Sequence, residues 1–365
     1  KRNYFELGNN ELKVSNKELN EIASVIYGKE LKNEEIEQIQ NLCEGWFTPI
    51  HFILQKSNID YFHGVDTAGI SQDIGAYLTE DFFCTLEPAL KSFLLCTAQL
   101  SSFTPDLTSR VTGNKDTSKV INALLNRNVF LDKIAENEYK YQKLFESFLI
   151  EKQRKLFKPS EFNDLYLKSA DILAESKQTK NAMDLYIRIE EYGKSADLLY
   201  EKFGELLSEG HLSYCCETAH MLYEVKGIKT DKMNYIVAYL KIKYLSENLA
   251  ATIILDKYSL DYCKRNDPLS LGIMLLKAES MLLKGEYDSS IEILDAILKD
   301  TILQGIHCDI LFQLARTYFR KGSAFYPEAI KLLENFIETN PEVLSDEKSA
   351  DILNLLGIIY SDTGN

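Results

Sequence analysis

Gly193-Lys194-Ser195 comes nearest to catalytic chemistry in this 365-residue chain. Gly-Lys-Ser closes the phosphate-binding loop whose backbone N–H groups and lysine cradle a nucleotide. That loop needs a further glycine where this chain has Arg188, and no apolar strand leads into the segment. No Gly-x-Gly-x-x-Gly occurs either. The reading is a turn glycine between two helices, with the nucleotide-binding core expected to lie outside this chain.

Other reactive residue types are scattered. The histidines His51, His63, His211, His220 and His307 are scattered, His211 and His220 lie nine residues apart, and no zinc site is expected. The cysteines (Cys43, Cys84, Cys96, Cys215, Cys216, Cys263, Cys308) form no Cys-x-x-Cys pair, which fits buried thiols in a reducing compartment. Adjacent Cys215 and Cys216 do not face each other on a helix. Glu34-Glu35 and Glu190-Glu191 read as solvated helix faces, and no serine or cysteine has a nucleophile's context. The expectation is no catalytic residue, no metal and no enzyme.

The net charge is −14, and most of the acidity falls after residue 158, while 74–158 is nearly neutral. An acidic surface repels phosphate backbones, so direct DNA binding by this chain is not expected. There is no run of apolar residues long enough for a membrane span and no signal peptide at the start. A cytoplasmic chain with no membrane contact is expected.

Helix signals dominate the elements that must position these residues. Asn16–Tyr27 and Asn33–Leu42 read as helices, the second with Asn33 as cap, after a strand-like Asn3–Gly8. Ile59–Asp73 reads as a connector. Glu80–Leu86 and Pro88–Ala98 follow, then a helix opened by Thr104-Pro105 and one capped by Ser118. Val129–Leu131 and Tyr139–Tyr141 are short β runs, and Leu144–Lys155 closes the set. Helices, a two-stranded wing and a closing helix describe a winged helix.

After Pro159 the pattern becomes near-continuous amphipathic helix. Asn181–Ile189 with Lys194–Phe203 is one divergent pair. Leu271, Met274, Leu275, Ala278, Met281 and Leu282 form one face, ended by Gly285. The cycle returns with Leu311, Leu314, Ala315 and Tyr318, then Gly322, and again with Leu355, Gly357, Tyr360 and Gly364. These positions resemble tetratricopeptide repeats, with Ala278, Ala315 and Gly357 at close helix approaches and Gly285, Gly322 and Gly364 at turns. Pro341 breaks a second helix, and Ser323–Pro327 reads as an insertion. The fold class is therefore all-α with a small β wing: a winged helix followed by a tetratricopeptide-like solenoid. The domains are 1–60, the end of a switch region; 61–158, the winged helix; and 159–365, a repeat domain cut short, which suggests a segment of a longer protein.

The stretch YLTEDFFCTLEPALKSFLLCTAQLSSFTPDLTSRVTG resembles the winged-helix segment of the large ATP-binding LuxR-type transcription activators, the MalT-like branch of the STAND signalling ATPases. ELKVSNKE (Glu11–Glu18) and LCEGWFTPIHFIL (Leu42–Leu54) extend the resemblance backwards. In that family a Gly-Trp-Pro ends the nucleotide domain near the adenine. Here the sequence is Gly45-Trp46-Phe47, with Pro49 two places on, so Trp46 and Pro49 are the nucleotide-adjacent candidates. The plainer reading makes Trp46 and Phe47 packing residues between domains. The family's Tyr-His-His-Leu-Phe is Tyr141-Gln142-Lys143-Leu144-Phe145 here, without either histidine. Tyr141, Leu144 and Phe145 are expected to pack against the wing.

The resemblance implies a signal-sensing and coupling segment of a cytoplasmic transcription activator. It implies ATP or ADP as cofactor of the full-length protein, and a small-molecule inducer or regulatory protein at the helical repeats. DNA would be bound only through an absent C-terminal domain, and self-association is a further candidate. Tyr186, Tyr192, Tyr200, Tyr214, Tyr223, Tyr235, Tyr239 and Tyr244 either line a recognition groove or fill helix-pair cores. The alternative function is a free-standing repeat adaptor for a protein partner.

Overall fold

In a computed structural model the described residues are 12–56, 83–126, 130–300, 304–339 and 347–363. The readings at Asn3–Gly8, Ile59–Asp73, 80–82, Val129, Pro341 and Gly364 lie outside them. Contacts divide the chain into two compact units, Lys1–Glu191 and Tyr192–Asn365. Among the described residues the fold is all-α with one small two-stranded sheet.

The first unit begins with α1 (Asn16–Tyr27), α2 (Asn33–Cys43) and α3 (Phe47–Lys56). Ser15 and Glu18 form a reciprocal capping box that starts α1, and left-handed Gly28 ends it. Leu19, Ala23, Ile36, Ile39, Cys43, Ile50, Ile53 and Leu54 make the shared core. Asn33 is not the cap of α2. Lys32 is, because the Glu35 carboxylate accepts the Lys32 N–H at 2.7 Å, and Glu35 is buried rather than solvated.

The winged helix comprises α4 (Pro88–Thr97), α5 (Pro105–Thr112), α6 (Thr117–Asn126), β1 (Leu131–Ala135), β2 (Glu138–Tyr141) and α7 (Lys143–Leu156). Pro88 and Pro105 open their helices, and Thr104 Oγ1 accepts the Leu107 N–H. A single 3-10 turn, Phe83–Thr85, stands within the expected Glu80–Leu86 helix. Ser118 lies inside α6: the helix starts at Thr117, whose hydroxyl donates to the Pro105 carbonyl at 2.7 Å. Among the described residues β1 covers Leu131–Ala135 and pairs antiparallel with β2. Phe103 forms an isolated bridge to β2, exchanging backbone hydrogen bonds with Tyr139 at 2.8 and 2.9 Å.

Two further helices, α8 (Pro159–Glu175) and α9 (Thr179–Arg188), complete this unit. A buried polar chain ties α8 to the winged helix. The Gln153 amide donates to Gln99 at 2.9 Å, Gln99 donates to Ser169 at 2.7 Å, and the Tyr166 hydroxyl donates to Gln153 at 3.2 Å. Each member is satisfied, which is what makes a buried polar network tolerable.

The second unit runs α10 (Tyr192–Ser208), α11 (Leu212–His220), α12 (Asp231–Lys243), α13 (Asn248–Leu255), α14 (Pro268–Lys284), α15 (Tyr287–Asp300), α16 (Gln304–Lys321), α17 (Tyr326–Thr339) and α18 (Glu347–Thr363). Each helix packs on its successor, and α12, α14, α16 and α18 also pack in turn on one another. Gly285 and Gly322 have positive φ between helices, as the repeat pattern predicts. Ala278 and Ala315 are fully buried, and the Ser290 hydroxyl donates to the Ala278 carbonyl at 2.8 Å. Gly357 is different: a Cβ there would meet nothing within 4 Å, so no close approach requires it. Ser323–Phe325 is a 3-10 turn leading directly into α17.

Gly193 is not a turn. It lies in the first turn of α10, and Glu190 supplies the left-handed residue (φ 63°) that redirects the chain. The Glu191 N–H then bonds the Tyr186 carbonyl at 2.8 Å.

Candidate functional site

The pieces of Glu44-Gly45-Trp46 fall at one joint between the α1–α3 bundle and the wing. Glu44 and Gly45 both have positive φ, 51° and 80°, which turns the chain sharply out of α2. The turn aims the Glu44 carboxylate at the wing. One oxygen accepts Lys140 Nζ at 3.0 Å and the other accepts the Lys143 backbone N–H at 3.0 Å. Lys13 Nζ pairs with Asp132 at 3.0 Å, and the Gln142 amide donates to the same carboxylate at 3.3 Å.

Gly45 is required where it stands. A Cβ would lie 3.0 Å from Lys13 Cβ and 3.1 Å from the Val14 carbonyl oxygen. That proximity lets the Val14 N–H bond the Gly45 carbonyl at 2.7 Å, while the Gln40 amide donates to the Val14 carbonyl at 2.8 Å. Trp46, half-buried, packs its ring 3.9 Å from that of Phe130, which in turn contacts Phe145. Pro49 is buried in α3. Phe47 is 46% exposed beside His51, so of the two aromatics only Trp46 packs between segments.

Tyr141 and Phe145 face the wing core. The Tyr141 hydroxyl bonds Thr97 Oγ1 at 2.7 Å, and burial pushes its phenol well above the ordinary range. Leu144 points the other way, onto the α1–α3 core. So the Tyr141–Phe145 segment grips both sides of the joint. Trp46 is packed against Phe130, and Gly193–Ser195 opens α10 with Arg188 where a phosphate loop needs its upstream glycine.

The second unit holds a groove of about 390 Å³ lined by α12, α14, α16 and α18. Its side chains come in tiers along the helices. Tyr235, Gly272 and Asp309 are at one end, Tyr239, Leu276 and Phe312 in the middle, and Lys243, Glu279 and Arg316 at the other end. Gly272 is the unpredicted member. A Cβ there would sit 2.9 Å from Tyr235 Cε2, so its absence lets the tyrosine ring lie across α14. Burial, then Tyr239, Tyr200 and Asp309, push the Tyr235 phenol up to about 12. Glu279 is almost buried; Lys243 pairs with it at 2.6 Å and Arg316 approaches at 3.7 Å. Two cations on one carboxylate leave net positive charge at that end.

The tyrosines divide between core and groove. Tyr186 and Tyr223 are core, the first donating to Asp171 at 2.6 Å and the second to Asn234 at 3.0 Å. Tyr235 and Tyr239 line the groove, and Tyr200 meets Tyr235 edge-on. Among the described residues no group of three or more His, Cys, Asp or Glu could hold a metal ion, and no helix is long and apolar enough to cross a membrane.

Residues 79–161 match the family model of the MalT winged helix domain. No curated protein matches the chain. Among solved structures it is similar to a Signal Transduction ATPase with Numerous Domains (STAND) protein with a tetratricopeptide repeat sensor from Pyrococcus horikoshii, with a TM-score of 0.55 and 15% identity. The match covers 97% of this chain and 52% of that one, so the chain spans about half the length of the protein it resembles. At that identity the likeness shows the fold, and the segment assigned to a family is the MalT-type winged helix of residues 79–161.

Proposed function

We propose that this chain is the signal-sensing and coupling segment of a cytoplasmic, ATP-dependent transcription activator of the MalT-like, LuxR type. An inducer or a regulatory protein binds the groove of α12, α14, α16 and α18. The winged helix couples that event to a nucleotide switch. The observation that carries the reading is the joint: Glu44 and Trp46, at the end of the segment that resembles a switch domain, are fixed to Lys140, Lys143 and Phe130 of a MalT-type winged helix.

In this reading ATP or ADP is held by sequence outside the chain, and DNA is bound by a further C-terminal domain. The chain itself is not an enzyme. A ligand drives the switch only by binding one state better than the other. Sequencing the encoding gene on both sides of this segment is the test. A phosphate-binding loop upstream and a helix-turn-helix downstream support the reading. A reading frame with neither contradicts it and leaves the repeat adaptor.

A further inference from the structure

We propose that an apolar face of α13, outside the groove, pairs two copies of this chain about a two-fold axis. The groove is lined from α12, α14, α16 and α18, while the alternate helices α11, α13, α15 and α17 supply none of its residues. Those alternate helices share one burial register. Ala251 and Leu255 of α13, one turn apart and buried, correspond to Ser290 and Leu294 of α15 and to Ala329 and Leu333 of α17. Cys215 and Ala219 hold the same places in α11. The register also fixes two solvent positions, two residues before and two after the first member of each pair. On α15 they hold Asp288 and Glu292, on α17 Pro327 and Lys331, and on α11 Ser213 and Glu217, all exposed. On α13 they hold Leu249 and Ile253, 72% and 76% exposed. A register common to all four helices means that the fold itself does not ask for aliphatic residues there. Tyr244 and Leu245, just before the helix, are 47% and 46% exposed, so one short segment shows four large apolar side chains to solvent. Clustered exposure of this kind marks an interaction surface, where a lone exposed leucine does not.

The charges of the segment select a second copy as the occupant. Glu247 stands at the start of α13 and Lys257 just beyond its end. Antiparallel pairing across a two-fold axis sets Leu249 of one protomer against Ile253 of its partner, and does so twice. The same pairing brings Glu247 of each protomer within reach of Lys257 of the other and opposes the two helix dipoles. Parallel pairing would instead set Glu247 beside Glu247. Glu247 already accepts Lys241 Nζ, and its carboxylate has further lone pairs for a second cation. Each copy therefore supplies the complement of the other, as a two-fold interface requires. Over most of their surface two copies of a chain with net charge −14 repel each other, which leaves an apolar stripe with its own charge pair as a place to meet. A helix of eight residues is about 12 Å long at roughly 1.5 Å per residue, so the interface is small and the dimer weak and reversible.

The test is sedimentation of the whole chain over a range of concentrations, which is expected to show a monomer–dimer equilibrium. Leu249→Glu should weaken the dimer about a hundredfold, because two-fold symmetry makes one substitution remove two aliphatic contacts. Glu292→Gln, at the matching position of α15, should leave it unchanged. Circular dichroism shows whether each variant is folded, and an exposed site away from the core should cost little stability. Cross-linking tests the geometry. Ala250→Cys lies near the proposed axis, so a short bismaleimide should join position 250 of one protomer to position 250 of its partner. Glu292→Cys should give no such link, and peptide mass spectrometry separates these products from links through the exposed native Cys84. A chain that stays monomeric to about 1 mM, where even weak interfaces associate, overturns the proposal and leaves the face to a partner of another kind. A dimer that survives Leu249→Glu unchanged, or that yields no 250–250 link, overturns it as well.

Discussion

Replacing Gly45 by alanine isolates the close approach at the joint. Two costs add. The first is the left-handed backbone: at φ 80° an L residue pays about 1–2 kcal/mol. The second is contact: the new Cβ falls 3.0 Å from Lys13 Cβ and 3.1 Å from the Val14 carbonyl oxygen. The carbonyl belongs to backbone already held by Gln40, so it cannot yield freely. Overpacking of this kind costs about 1–3 kcal/mol. The total is about 2–5 kcal/mol.

Gly113, in the same unit, is the matched control. Its φ is 75°, and a Cβ there meets nothing within 4 Å, so Gly113→Ala should cost only the backbone term of about 1–2 kcal/mol. Urea unfolding followed by the fluorescence of Trp46, the single tryptophan, reports on the unit that carries both glycines. Gly45→Ala should lower the midpoint clearly more than Gly113→Ala. Equal losses would refute the reasoning, because they would mean that Lys13 and Val14 do not press on Gly45 in solution.

Three further outcomes are expected. In a double-mutant cycle of Glu44→Gln and Lys140→Met, the coupling should be about 0.5–1 kcal/mol and shrink with added salt, since both side chains are partly exposed; zero coupling at low salt goes against the ion pair. Tyr235 keeps its proton to about 12 in the folded chain, while an unfolded tyrosine loses it near 10. The folded state therefore holds more protons between those values, and its contribution, full below about pH 10, is lost as pH rises through that window. Tyr235→Phe should flatten this alkaline loss in urea unfolding followed by circular dichroism, and an unchanged slope counts against the shift. At pH 8 a thiol reagent should label exposed Cys84 first and Cys43 and Cys215 last, because burial raises the latter thiols to about 12 and about 11. Mass spectrometry of the modified peptides gives the order, and early labelling of Cys43 contradicts its burial.

The sequence was most legible where structure is local. The span of α1 is the one read from the sequence, Asn16–Tyr27, and proline marks the starts of α4 and α5. The wing was less legible because its rungs are not local: Phe103 bonds Tyr139 across a whole helical segment, and β1 takes its register from Tyr141. Gly193 misled because glycine usually marks a turn, whereas Glu190 adopts the left-handed conformation here. Gly272 carried the reverse lesson. A glycine inside a helix reads as a defect until the Tyr235 ring is found lying against it. The cation pair on Glu279 joins three helices, so no spacing within one helix could reveal it. Trp46 and Pro49 were found through a family motif, but the partner of Trp46, Phe130, is visible only in three dimensions.

The most direct test of the central claim, that a groove event is relayed through the joint to transcription, is a transcript profile of the source cells. It compares the wild-type gene with Arg316→Gln in the groove and Glu44→Gln at the joint. The account predicts that both variants, at normal protein abundance, change the same set of transcripts. Unchanged transcripts in both strains would contradict it.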